Sequence, residues 1–148
     1  MIRHAGLIAQ RQGGRWAGAL IEGPSGVGKS DLALRCLTAG FRLVADDRVL
    51  LWTSDARLFG RAPQPLTDLI EVRGHGVLPE ACLPFCEIAL VVRCAALGET
   101  PERLPDPETA ERLGVRLPSV TLAALEASAP AKLSRALARF DGSFKKRM

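Results

Sequence analysis

The sequence predicts an α/β domain with a central β-sheet flanked by helices, opened by an N-terminal hairpin and closed by a C-terminal helix. Three observations predict it. An apolar run, WAGALIE, leads into the glycine-rich stretch GPSGVGKS and then into the helical pattern DLALRCLTAG. The segment CEIALVVRC is apolar on both faces, as in a strand covered on both sides. From Pro130, Leu133, Leu137 and Phe140 recur at helical spacing over about three turns. At 148 residues, 47% hydrophobic and 24% charged, the chain fits one globular unit, residues 1–148, that buries roughly 70% of its unfolded surface.

The elements follow in order. Residues 5 to 22 read as two strands, AGLIAQ and WAGALIE, joined at RQGGR, where Gly13 and Gly14 can take the positive φ of a hairpin turn. After the glycine stretch, Leu32, Ala33, Cys36 and Leu37 form one helical stripe, and Gly40 is placed to end that helix. Next, FRLVADDRVLLW and ARLFGRA are β-type stretches separated by a turn at Thr53, Ser54 and Asp55. Pro63 and Pro65 break the chain before LTDLIEVRGHGVL. GETPERLPDP, with three prolines, predicts an irregular, mobile loop. The last residues, GSFKKRM, predict a frayed end.

Composition narrows the function. The chain has no run of about 18 apolar residues and no signal-like N-terminus, which predicts a soluble protein without membrane attachment. Cys36, Cys82, Cys86 and Cys94 lie in apolar segments without C-x-x-C spacing and read as reduced core residues. The net charge is +4, and basic residues gather toward the C-terminus at Lys132, Arg135, Arg139, Lys145, Lys146 and Arg147, which reads as a solvated helix face. With tyrosine absent and aromatics at 5%, stacking surfaces for single-stranded nucleic acid are scarce, so no nucleic-acid partner is expected.

GPSGVGKS matches G-x-x-x-x-G-K-[ST], the phosphate-binding loop of P-loop domains. Gly23, Pro24, Ser25, Gly26, Val27, Gly28, Lys29 and Ser30 form the cradle. The glycines let backbone N–H groups converge on phosphate oxygens, the helix start adds its positive end, and Lys29 adds a charge. The Ser30 hydroxyl stands where a magnesium ion bridging two phosphates would sit. Phosphoryl transfer also needs a proton acceptor and acidic groups around the metal. In LVADDRV, Asp46 and Asp47 end an apolar run, and pleating turns one carboxylate toward the phosphates and the other away. Which of them titrates higher stays open. Glu71 and Arg73 in EVRGHG share a face and could serve metal and phosphate respectively. His4 and His75, taken alone, read as structural.

GPSGVGKS, DLALRCLTAGFRLVADDRV and APQPLTDLIEVRGHGVL together resemble the catalytic domain of bacterial HPr serine kinase/phosphorylase, well matched from about His4 to Val92. The resemblance implies ATP-dependent phosphorylation of a serine on the phosphocarrier HPr, reversed by inorganic phosphate with release of pyrophosphate. It also implies Mg2+, ATP or pyrophosphate as donor, a cytoplasmic location and usually a hexamer. By resemblance, Asp46 is the general base, Asp47 supports it, and His4 stands near the reacting phosphate. Glu71 joins Ser30 in holding magnesium, Arg73 orients phosphate or a neighbouring subunit, and Arg103 is the loop arginine of phosphorolysis. The chain resembles the short forms that lack the family's additional N-terminal domain. It departs from the family in carrying AALEASAPAKL, without those arginines, where an Arg-Pro-Gly-Arg-Asn segment precedes the last helix. Two other readings compete, a small-molecule kinase sharing the loop and a nucleotide-binding regulator without turnover.

Overall fold

The computed structural model describes residues 1–140, with the side chain of residue 140 excepted. The terminal stretch GSFKKRM and the basic residues Lys145, Lys146 and Arg147 lie outside the described residues.

Strand β1 (Ile2–His4) is followed by the hairpin β2 (Gly6–Gln12) and β3 (Arg15–Glu22), whose turn at Gly13 and Gly14 has φ of 59° and 87°. That is the hairpin the double glycine predicts. Helix α1 (Lys29–Leu37) buries Leu32, Ala33 and Cys36. It ends at Leu37, and the Phe41 amide closes the turn beyond it by donating to the Cys36 carbonyl at 3.1 Å, with Gly40 between them.

The stretch FRLVADDRVLLW is two strands rather than one. β4 (Arg42–Ala45) stops before the aspartates and β5 (Arg48–Ser54) resumes after them. β6 (Arg57–Arg61) pairs with β5 across a turn at Asp55 and Ala56, one step later than the sequence suggests. A short 3-10 turn over Gln64–Leu66 leads to a separate hairpin, β7 (Leu69–Val72) and β8 (Gly76–Pro79). β9 (Cys86–Cys94) is the central strand its apolar run predicts. Residues 95–107 form no regular structure. β10 (Glu108–Arg112), β11 (Val115–Leu122) and α2 (Ala129–Phe140) complete the chain.

β3, β9 and β11 run parallel, and the other pairs are antiparallel. β9 pairs along its length with β3. Its other edge is shared, with β6 at Cys86 and Glu87 and β11 from Val91 onward, so the sheet forks there. The sheet also curls, because β4 and β6, far apart in strand order, come into contact.

Alternation along the strands makes two cores. One lies between the sheet and both helices and holds Ile8, Ile21, Leu90, Leu133 and Leu137. The other lies inside the curl and holds Leu7, Leu20, Val49, Leu51, Leu58 and Ile88. Leu7 and Ile8, adjacent in sequence, enter different cores, as the period of two requires. Cys36, Cys86 and Cys94 are buried free thiols and Cys82 is half-buried. Burial pushes Cys36 and Cys86 up to about 12 and Cys94 up to about 11, so they remain unreactive core residues. Among the described residues, no helix is long and apolar enough to cross a membrane.

Candidate phosphate-binding and catalytic site

The site forms at the carboxyl end of β3, where the chain leaves the sheet at Glu22 and enters α1 at Lys29. Gly28 caps the helix with φ 104°, a left-handed conformation that costs a residue with a side chain more than glycine. The Lys29 ammonium donates to the carbonyls of Gly23 at 2.8 Å and Pro24 at 3.0 Å, which folds the loop back on itself. Val27 is 3% exposed and anchors the loop in the helix-side core. Its side chain therefore serves the fold.

A pocket of about 330 Å³ opens over this helix start. Its lining brings together His4, Ser25, Gly26, Gly28, Lys29, Ser30, Asp46, Asp47, Glu71 and Arg73, with Asp31 and Leu125. These residues come from β1, the loop, α1, the β4–β5 junction, β7 and the turn after it, and the segment before α2. Of the residues named from the sequence, Gly23, Pro24 and Val27 belong to the loop but not to the pocket lining. His75 stands outside the pocket, in the turn between β7 and β8, where its amide donates to the Val72 carbonyl at 2.8 Å. Arg103 is also outside. It lines a second cavity of about 1330 Å³ between residues 99–108, β11 and α2, because the loop carrying it folds over α2 instead of the phosphate loop.

Both aspartates reach the pocket, contrary to the pleating expectation. The strand ends at Ala45 and Asp47 takes φ 68°, so the two side chains no longer alternate. Asp is among the few residues that tolerate that conformation. Their surroundings differ sharply. Asp46 is 7% exposed. One of its oxygens accepts from the Ser30 hydroxyl at 2.8 Å and the other from the Glu71 amide at 2.9 Å. Asp47 is half exposed, and its Oδ1 lies 2.9 Å from Nε2 of His4. The Ala5 amide donates to the Asp47 carbonyl at 3.1 Å, which fixes β1, and with it His4, beside the aspartate turn.

A group the sequence did not reveal lies behind the loop. The Glu22 carboxylate is bonded by Arg3 of β1 and by Arg112 of β10, the latter at 2.5 and 3.0 Å. Burial pushes this carboxyl up, but the bonds from Arg112 and Arg3 outweigh it and hold Glu22 below the ordinary glutamate value. No local spacing signals a partner 90 residues away. Leu125, and Arg35, which bonds the segment carrying it, have no local sequence signal for the same reason.

The donor set suits magnesium. Ser30 Oγ, Asp46 and Glu71 are hard oxygen ligands around one pocket, and magnesium takes one or two carboxylates while sharing the rest of its shell with phosphates and water. Among the described residues no group of three or more acidic, histidine or cysteine side chains could hold a metal by itself. The fit is therefore to magnesium carried with a polyphosphate.

With this geometry in place, the comparison with known proteins is specific. Residues 15–139 match the family described as HPr Serine kinase C-terminal domain. The chain belongs to that family. It is 38% identical over 132 residues to an HPr kinase/phosphorylase of Limosilactobacillus reuteri, covering 82% of this chain and 39% of that one. It is 35% identical over 116 residues to one from Streptococcus sanguinis, covering 71% and 37%. The chain thus spans about two fifths of the length of these relatives. A solved structure, the Hpr(Ser) kinase/phosphatase from Coxiella burnetii, superimposes with a TM-score of 0.78 at 24% identity, over 100% of this chain and 99% of that one. The α/β architecture predicted from the sequence is the family's fold.

Proposed function

We propose that residues 1–148 act as a single catalytic domain that transfers the terminal phosphoryl group of ATP to a serine of an HPr-type phosphocarrier protein. The reverse reaction has inorganic phosphate attack the phosphoserine and release pyrophosphate. The observation that carries this reading is the pairing of a buried Asp46, bonded at both oxygens, with a more open Asp47–His4 couple at the mouth of one phosphate loop.

The geometry favours a division of labour different from the one the resemblance implies. Asp46 has both oxygens engaged, so it suits holding Ser30 and a magnesium shell together with Glu71. Held there, the ion would neutralise charge on the phosphates. Asp47 is open to an incoming hydroxyl and takes its proton as the serine oxygen bonds to phosphorus and the leaving phosphate departs. His4 orients Asp47. In reverse, protonated Asp47 returns the proton to the serine oxygen as its bond to phosphorus breaks. Lys29 exchanges its two loop carbonyls for phosphate oxygens, and Arg73 adds a second positive charge at the pocket wall. Arg103 would reach the reacting groups only after its loop moves or from another copy of the chain.

The protein is proposed to work in the cytoplasm and to self-associate as a hexamer. An uncovered aromatic group supports assembly: Trp52 and Phe59 stack at 5.8 Å beside Phe85, itself 54% exposed. Incubating the purified chain with magnesium, ATP and HPr, followed by intact-mass analysis, tests the function. A single added phosphate on an HPr serine is the expected result. Unmodified HPr, with ATP intact or merely hydrolysed, would refute it.

A further inference from the structure

The carboxyl ends of the parallel strands β3, β9 and β11 deliver three segments to one end of the sheet: the phosphate loop, residues 95–107 and residues 123–128. Ligands of open α/β sheets bind at such ends. The phosphate pocket is lined almost wholly by polar groups and glycine, which serve phosphates. A nucleotide also brings a ribose and a base, and these need apolar contact. Leu125 is the one large apolar side chain in that lining, and it is 59% exposed.

A single exposed leucine is ordinary. Its mounting is not. The Arg35 guanidinium of α1 donates to the carbonyl of Ala124 and, at 3.2 Å, to that of Glu126, the residues on either side of Leu125. Asp31, one turn earlier on α1 and itself in the pocket lining, accepts from Arg35 Nε at 2.9 Å. The helix that begins at the phosphate loop therefore grips the backbone on both sides of this leucine. Leu125 also rests on the loop, since a Cβ added at Gly28 would lie 2.6 Å from Leu125 Cδ2.

We propose that Leu125 is the platform against which the nucleoside part of the bound nucleotide packs, and that Arg35 is the positioning residue that holds it there. This rests on the nucleotide-binding reading above. The phosphates occupy the loop and the ribose and base run over Leu125, along the carboxyl ends of β9 and β11.

The test compares ADP with inorganic tripolyphosphate, both with magnesium, by titration calorimetry on the full chain. Leu125→Ala should weaken ADP about fivefold while leaving tripolyphosphate within about twofold, as loss of an apolar contact to the nucleoside alone requires. Arg35→Met should show the same selective loss, and Arg35→Lys, which can still donate to one carbonyl, should regain part of it. A merely structural role for Arg35 would instead lower both affinities and the thermal midpoint together. Equal changes for the two ligands in Leu125→Ala, or none, overturn the platform. If the unmodified chain binds neither ligand, the nucleotide reading itself fails.

Discussion

At the scale of single residues, the site turns on the conformation of Asp47. Its φ of 68° breaks the strand and puts two neighbouring carboxylates in one pocket with opposite degrees of exposure. Substitution can separate their roles. Asp47→Asn removes the open proton acceptor and should cut transfer by roughly 10²- to 10⁴-fold, with nucleotide affinity within about tenfold. Asp46→Asn keeps one acceptor oxygen but sets an amide N–H2 against one of its two donors, the Ser30 hydroxyl or the Glu71 amide. Its loss of rate should therefore be relieved by raised magnesium, whereas that of Asp47→Asn should not. Steady-state rates across a magnesium series check this, and relief of Asp47→Asn instead would return the proton transfer to Asp46.

At the scale of elements, Glu22 joins three strands, taking Arg3 from β1 and Arg112 from β10 at the end of β3. Its carboxyl lies below its usual value of 4.5, so the unfolded chain binds that proton more readily. The resulting stability is present above about pH 4.5 and is lost as pH falls through the lower folded value. Glu22→Gln leaves two guanidinium groups facing a neutral amide, and should cost about 1–3 kcal/mol at pH 7 and much less near pH 3. Denaturant unfolding at both values measures it, and an equal loss at both would discount the charge. The sequence showed some elements plainly: Gly13 and Gly14 marked a hairpin, CEIALVVRC marked β9, and the stripe from Leu32 marked α1. It did not show the break between β4 and β5, because apolar residues continue on both sides of the aspartates and only a backbone angle separates the strands. β10 and β11 were hidden for another reason. β10 carries Glu108, Glu111 and Arg112 in five residues, and β11 contains Pro118, which is tolerated where β11 pairs with β10 alone but which a strand pattern does not advertise. The loop chemistry was legible from GPSGVGKS, whereas the Glu22 group and the Arg35 grip on residues 124 and 126 depend on contacts some 90 residues apart.

For the whole molecule, the question is whether two cores behave as one. Ile88 of β9 enters the core inside the curl and Leu90, two residues on, enters the core beneath the helices, across a register shift where β9 pairs with β3. The strand that backs the phosphate loop is thus shared, and β3 contributes Leu20 to one core and Ile21 to the other. Neither core can open without exposing the apolar side of these two strands to water. Unfolding should therefore be a single transition in which circular dichroism and tryptophan fluorescence coincide, since Trp16 packs against the curl's core and Trp52 lies on β5. Leu133→Ala in α2 and Leu58→Ala in β6 empty different cores, and each should cost about 2–5 kcal/mol. Because the cores share their central strands, each substitution should shift the entire transition without splitting it. Two resolved transitions, with Leu133→Ala moving only one of them, would mean that the helices dock on a sheet stable without them. Nucleotide added to Leu133→Ala would then protect only the transition that includes α1, since the phosphate loop opens directly into that helix.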